Sequence, residues 1–296
     1  MLAHVLQERE LVISDVIAGA ASGTRRLFLG ERATDRLRLA VGVVHGEGGE
    51  EAVANEARAL AVLDERLPHE LHSSVPHVHE WVLGPGGRHA LLVSAVAGLE
   101  SGATPTPTPN PRGSFDAMVA WLVQLWAATT GDRIHVELGR GAVDLVLSRH
   151  RGAASIRPSI DILLRARERL ALVEVVGVMA HGCLCARHVF HDASQIGVDD
   201  WGLARSNADP LGDLGRYAVD ISGDRFPEVV KGRTRFAAAV RDALCHGMEA
   251  VATPPRLWRD VLLLAQLEVA LTELKQGDTT RLALLQQSVQ ALPKRT

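Results

Sequence analysis

The sequence predicts an α+β chain in two parts, a small β-rich part followed by a larger helical one. Three observations carry this. Short segments with period-two alternation of polar and apolar residues gather before residue 94. Apolar residues at helical spacing dominate after residue 113. Between them, Ser101 to Pro111 places proline at every second position from Pro105 onward, which neither a helix nor a central strand accepts.

Arg25 to Leu29 and Arg36 to Val41 alternate as half-buried strands do. Glu50 to Leu63, after Gly48-Gly49, carries Ala, Val and Leu at the spacing of an amphipathic helix. Val78 to Leu83 and His89 to Val93 flank Gly84-Pro85-Gly86-Gly87, a hairpin signal. The proline-rich stretch reads as an exposed, extended connection. Beyond it, helices are expected over Ser114–Thr129, Pro158–Val178, Pro255–Gln276 and Asp278–Leu292, with Gly277 ending the third and Asp278 capping the fourth. The boundaries follow: 1–94 for the β-rich part, 95–113 for the connection and 114–296 for the helical part.

The 296 residues are 47% hydrophobic and 23% charged, with a formal charge of −3, so the chain can bury a large core and has no basic footprint for nucleic acid or anionic membrane. No apolar run reaches the roughly 18 residues of a membrane span, and the first ten residues lack the pattern of a signal peptide. Three cysteines, two of them at 183 and 185, do not suggest a disulfide framework. A reduced, cytoplasmic protein is expected. The first 230 residues contain no lysine.

The most specific stretch is His181-Gly182-Cys183-Leu184-Cys185-Ala186-Arg187-His188, followed by Val198-Asp199-Asp200-Trp201-Gly202 and by Asp209-Pro210-Leu211-Gly212-Asp213-Leu214. In order, spacing and flanking residues this resembles the aminoglycoside phosphotransferase family and its kinase-like relatives, whose pattern is roughly H-G-D-L-H-x-x-N, then I-D-W/F, then D-P-x-x-D-L. The segment Asn55-Glu56-Ala57-Arg58-Ala59-Leu60 is similar to the family's R-E-A-x-x-L helix. The resemblance implies a two-lobed protein-kinase-like fold, with a small β-rich N-lobe and a larger helical C-lobe. It also implies ATP and magnesium as cofactors, bound here in weakened form.

Carried over residue by residue, the resemblance puts Cys183 where the family has its catalytic Asp and His188 where it has a metal-binding Asn. Asp200 matches the metal Asp, with Asp199 beside it. His181 matches the histidine that buttresses the catalytic loop, and Asp213 the Asp that braces it. No lysine is present for the nucleotide phosphates, so Arg38, on the expected third strand opposite Glu56, is the substitute. Ser22 and Gly23, within Gly19 to Thr24, are placed to cover a phosphate. Arginine is a larger, planar replacement for lysine at a tight phosphate site. A thiol lacks the two oxygens of a carboxylate, and losing a positioned base typically costs about 10²–10⁴ in rate. Imidazole nitrogen suits magnesium poorly.

Scaffold residues kept while chemical ones are replaced point to a pseudokinase that binds a protein or peptide partner, as kinase-like relatives in peptide-modifying assemblies do. Two alternatives stay open. One is an active ATP-dependent O-phosphotransferase with a rearranged site, acting on a hydroxyl of a small molecule or of a peptide Ser/Thr. The other is a metal site on His181, Cys183, Cys185, His188 and His191.

Overall fold

Five antiparallel strands form the main sheet: β1 (Leu11–Ala18), β2 (Thr24–Glu31), β3 (Leu37–Val44), β4 (Val78–Leu83) and β5 (His89–Ser94), in the order β1-β2-β3-β5-β4. The computed structural model describes residues 7, 11–19, 23–31, 37–44, 46–83, 88–96, 111–149, 157–191, 195–275 and 277–292. The expected Gly84–Gly87 turn and the proline-rich stretch up to Asn110 lie outside these residues.

Strand alternation gives the sheet two distinct faces. On one, Leu11, Leu29, Leu39, Val41, Val82, Ala90 and Leu92 form an apolar cluster. The other face carries Arg26, Phe28, Ala40 and Gly42, with Arg26 paired in register with Gly42 and Phe28 with Ala40. Against this second face packs α1 (Gly49–Arg66), which starts after Gly48 and has Glu50 and Glu51 in its first turn and Arg66 in its last, favourable for the helix dipole. Its buried stripe is Ala52, Val53, Glu56, Ala59, Leu60 and Leu63. A carboxylate at the centre of an apolar stripe has to meet a cation or hydrogen-bond donors on the sheet.

The chain divides into two compact units. One is Met1–Thr108 with His181–Ser206; the other is Pro109–Ala180 with Asn207–Thr296. In the first, a short antiparallel pair joins Val189–His191 to Ile196–Val198. The second unit is mainly helical. Its helix Trp258–Leu274 is buried on every side from Val261 to Leu267, a run that is apolar except for Gln266, as suits a central helix. Helices Arg157–Ala171, Leu211–Ser222 and Thr280–Gln290 pack on it. Asp209 organises the approach to Leu211–Ser222: Oδ1 accepts from the Leu211 N–H (2.9 Å) and Oδ2 from the N–H groups of Glu137 and Leu138 (3.0 Å each).

The sequence expectations need three corrections. The helix expected over Pro158–Val178 stops at Ala171, and Glu174–Val176 is a strand paired with Arg133–His135. The β-branched run Val173-Glu174-Val175-Val176 favours the pleated conformation once a partner strand is present. The helix expected from Pro255 begins at Trp258 after a 3₁₀ turn, since Pro254 and Pro255 donate no amide proton. Strand β1 and the helices Arg140–Arg149, Leu211–Ser222, Phe226–Lys231 and Arg235–Ala250 were not foreseen. At the other end Gly277 adopts φ 89° and Asp278 caps through the Thr280 N–H (2.8 Å), as expected. Among the described residues no helix is long and apolar enough to cross a membrane.

Candidate functional site

The side chain that meets Glu56 is Arg26, from β2. Its guanidinium is 1% exposed. Nε donates to Asp199 Oδ2 at 2.8 Å, and Nη2 donates to Asp199 Oδ1 in a two-point grip. Nη1 donates to Glu56 Oε2 at 3.1 Å, and Nη2 lies 3.0 Å from Glu56 Oε1. Most of the guanidinium's donors are therefore committed to two buried carboxylates. Gly42 makes room for this: a Cβ there would lie 3.2 Å from both Arg26 Nη1 and Glu56 Oε2. The third strand thus offers an empty position, and the second strand fills it with an arginine.

Burial works against the Arg26 cation, but Asp199, Glu56 and Asp200 outweigh it and hold its pKa above the ordinary arginine value. For Glu56 the balance is reversed. Burial raises its pKa, Arg26 opposes this, and Asp200 and Asp199 add to it, leaving the carboxyl at about 7. Three buried carboxylates share one guanidinium, and Glu56 is the one that gives way.

The loop that follows is braced by backbone bonds. His181 Nε2 lies 2.9 Å from the Asp199 carbonyl, and His181 Nδ1 accepts the Cys183 N–H at 3.3 Å. Both contacts are satisfied by the neutral tautomer with its proton on Nε2. The ring also packs on Trp201, with centroids 4.9 Å apart. Gly182 takes φ 84°, where a Cβ would strike the Leu203 carbonyl; this explains the glycine of the His-Gly pair. Trp201 is fully buried, with Nε1 donating to Val198 O (3.0 Å) and its N–H to Glu56 Oε1 (3.3 Å). Asn55 Nδ2 donates to the carbonyls of Gly202 (3.2 Å) and Ala204 (2.8 Å). The helix stripe and the segment after Asp200 are therefore held as one piece.

Asp200 adopts φ 65°, a left-handed conformation that costs a non-glycine residue about 1 kcal/mol or more. His188 is buried; Arg187 Nε donates to its Nε2 at 3.0 Å, and its Nδ1 lies 4.0 Å from Asp200 Oδ2. Burial, with His181 and Arg187 adding, pushes the His188 pKa well below the ordinary histidine value, so the ring is neutral. Cys183 is buried and Cys185 half-buried. Gly23 has φ 82°, and its carbonyl accepts the Gly46 N–H at 3.0 Å. Asp213 is buried in helix Leu211–Ser222 of the other unit. Ser22 and the side chain of Arg38 lie outside the described residues.

Arg26, the residue that sequence reasoning missed, carried a signal. Alternation puts it on the same strand face as Phe28, an arginine on an apolar face. The family's pattern directed attention to the third strand instead.

The donor set fits magnesium poorly. Asp199 spends both carboxylate oxygens on Arg26, and His188 offers nitrogen where the ion prefers oxygen. A cavity of about 10 Å³ lies beside the cluster, lined by Thr24, Arg26, Gly42, Glu56 and Asp200 among others, with room for about one water.

No protein-family model matches the chain, and no curated protein matches it. Solved structures do. The GDP and kanamycin complex of APH(2")-IIia is 13% identical, over 98% of this chain and 99% of that one, with a TM-score of 0.61. The macrolide 2'-phosphotransferase MphH from Brachybacterium faecium is 17% identical, over 99% of both chains, with a TM-score of 0.56. The choline kinase LicA from Streptococcus pneumoniae is 12% identical, over 97% and 95%, with a TM-score of 0.57. At these identities the likeness is one of fold. The chain has the kinase-like fold of the aminoglycoside phosphotransferases, with a five-stranded antiparallel N-terminal sheet and a helical C-terminal part.

Proposed function

We propose that this chain is a pseudokinase, a phosphotransferase-like fold that binds a protein or peptide partner and does not transfer phosphate. The observation that carries the reading is the commitment of Arg26. The N-terminal cation that would grip nucleotide phosphates is buried and bound on two sides by Asp199 and Glu56. A thiol stands at the base position, and a neutral imidazole stands where the fold's enzymes place a metal-binding amide. The bracing of the loop by His181, Gly182, Trp201 and Asn55 supports a fold kept for binding.

An active ATP-dependent O-phosphotransferase, acting on a small-molecule or peptide hydroxyl, is the second reading. One observation favours it: three buried carboxylates face a single guanidinium, a surplus of negative charge that a divalent cation would offset. The two readings separate in an assay of phosphate transfer and release from ATP with magnesium. The pseudokinase reading expects none above buffer, and none gained on Cys183→Asp. Magnesium-dependent turnover that disappears in Asp200→Ala would establish the second reading.

A further inference from the structure

The loop around Cys183 holds a second constellation that involves no nucleotide. One donor atom each from Cys183, Cys185 and His188 lies within 4.8 Å of the other two. Tetrahedral zinc, with Zn–S about 2.3 Å and Zn–N about 2.0–2.1 Å, sets its ligand atoms roughly 3.5–3.8 Å apart. The three atoms therefore need to close by little more than about an ångström to grip one ion. The backbone presenting them is already fixed: the Cys183 N–H is held on His181 Nδ1, and the His188 N–H bonds the Cys185 carbonyl at 3.0 Å. Little ordering cost is left for the ion to offset.

The charge count also suits a soft dication. Two thiolates and a neutral imidazole cancel the charge of zinc, so the buried site would hold no net charge. His181 is excluded as the fourth ligand although its ring centroid lies 5.9 Å from that of His188, because both its nitrogens are held by backbone groups, whereas His188 Nε2 is held only by the exposed side chain of Arg187, which can swing into solvent as the ion binds. A second gathering, Asp64, His72 and His77, is more exposed, and its ring nitrogens already meet the Leu67 carbonyl and Asp64 itself.

We propose that Cys183, Cys185 and His188 bind one zinc ion, with the fourth position left to water. Each thiol releases its proton to solvent as the ion binds. The inference stands apart from the pseudokinase reading, and either can fail without the other.

The test uses the full chain, reduced and stripped with a chelator, with circular dichroism confirming that it stays folded. Cobalt(II) is then titrated as the probe. One equivalent should bind, giving thiolate-to-cobalt charge transfer and the visible bands of a tetrahedral site, and zinc should displace it. Cys183→Ser and Cys185→Ser should each lower the charge transfer to half or less and weaken binding, and His188→Gln should weaken binding while keeping the charge transfer of both thiolates. Cys245→Ser, a cysteine of the other unit, should change nothing. Should a cysteine variant fail to fold, alkylation of the wild-type chain decides: zinc should protect Cys183 and Cys185 and leave the reactivity of Cys245 unchanged. Absence of charge transfer in the reduced protein, or equal alkylation with and without zinc, overturns the proposal.

Discussion

The Arg26 cluster and the Cys183–His188 loop lie in the same unit but follow opposite electrostatic plans. The cluster gathers hard oxygens, from Glu56, Asp199 and Asp200, and spends a buried guanidinium on them. The loop gathers sulfur and nitrogen around a ring held neutral by burial. One region is organised as a buried ion pair, the other as a nest of soft donors. Within one unit, then, neighbouring segments are built on opposite chemistries: Arg26 is turned inward as a structural bond to carboxylates, while Cys183, Cys185 and His188 bring sulfur and nitrogen together.

The largest expected effect comes from removing the cation. Arg26→Met should destabilise the chain by about 3–5 kcal/mol, because it leaves two or more carboxylates buried without compensation. Urea denaturation monitored by circular dichroism measures this. A loss under about 1 kcal/mol would mean that charge does not organise the cluster, and the comparison would break. Arg26→Lys should fall between, keeping the charge but losing the two-point grip.

Metal preference sharpens the contrast. At a hundredfold excess over its dissociation constant, zinc should stabilise the folded chain by about 2.7 kcal/mol, whereas the same concentration of magnesium should leave the melting temperature unchanged. Stabilisation by magnesium alone would reverse the assignment of hard and soft regions.

A smaller effect concerns pH. The Glu56 pKa in the folded chain is raised, from an ordinary 4.5 to about 7. A raised carboxyl contributes stability that is complete below its unfolded pKa and is lost as pH rises through the folded one. Glu56→Gln has no such loss. Between about pH 5 and pH 8 the stability of the variant relative to wild type should therefore improve, by on the order of 1–3 kcal/mol. A difference that stays flat, or moves the other way, would show that Arg26 is not shared beyond its capacity.

Much of this architecture was legible in the sequence, for identifiable reasons. Strand parity located β2 through β5, and the helix containing Glu56 was evident from its apolar spacing. The loop glycine and His181 were legible through a motif whose geometry demands them: Gly182 at positive φ, and His181 bonded to the backbone on both sides. The partner of Glu56 was legible only as an arginine on the same strand face as Phe28. A register that places Arg26 opposite Gly42 is a tertiary fact, and no local spacing encodes which of several arginines reaches a buried carboxylate. Asp209 was hidden for a similar reason. Its amide partners at Glu137 and Leu138 are some seventy residues away in the chain, so the Asp-Pro pair by itself gave no sign of them.

The proposed pseudokinase makes Arg26 a structural ion-pair partner and not a phosphate grip. It is tested most directly by following the Arg26 Nε–H resonance in a nitrogen-15 spectrum while ATP and magnesium are added. Held on Asp199 and buried, that proton should exchange slowly and keep its position throughout the titration. A saturable shift of the same resonance, absent in Asp200→Ala, would contradict the account.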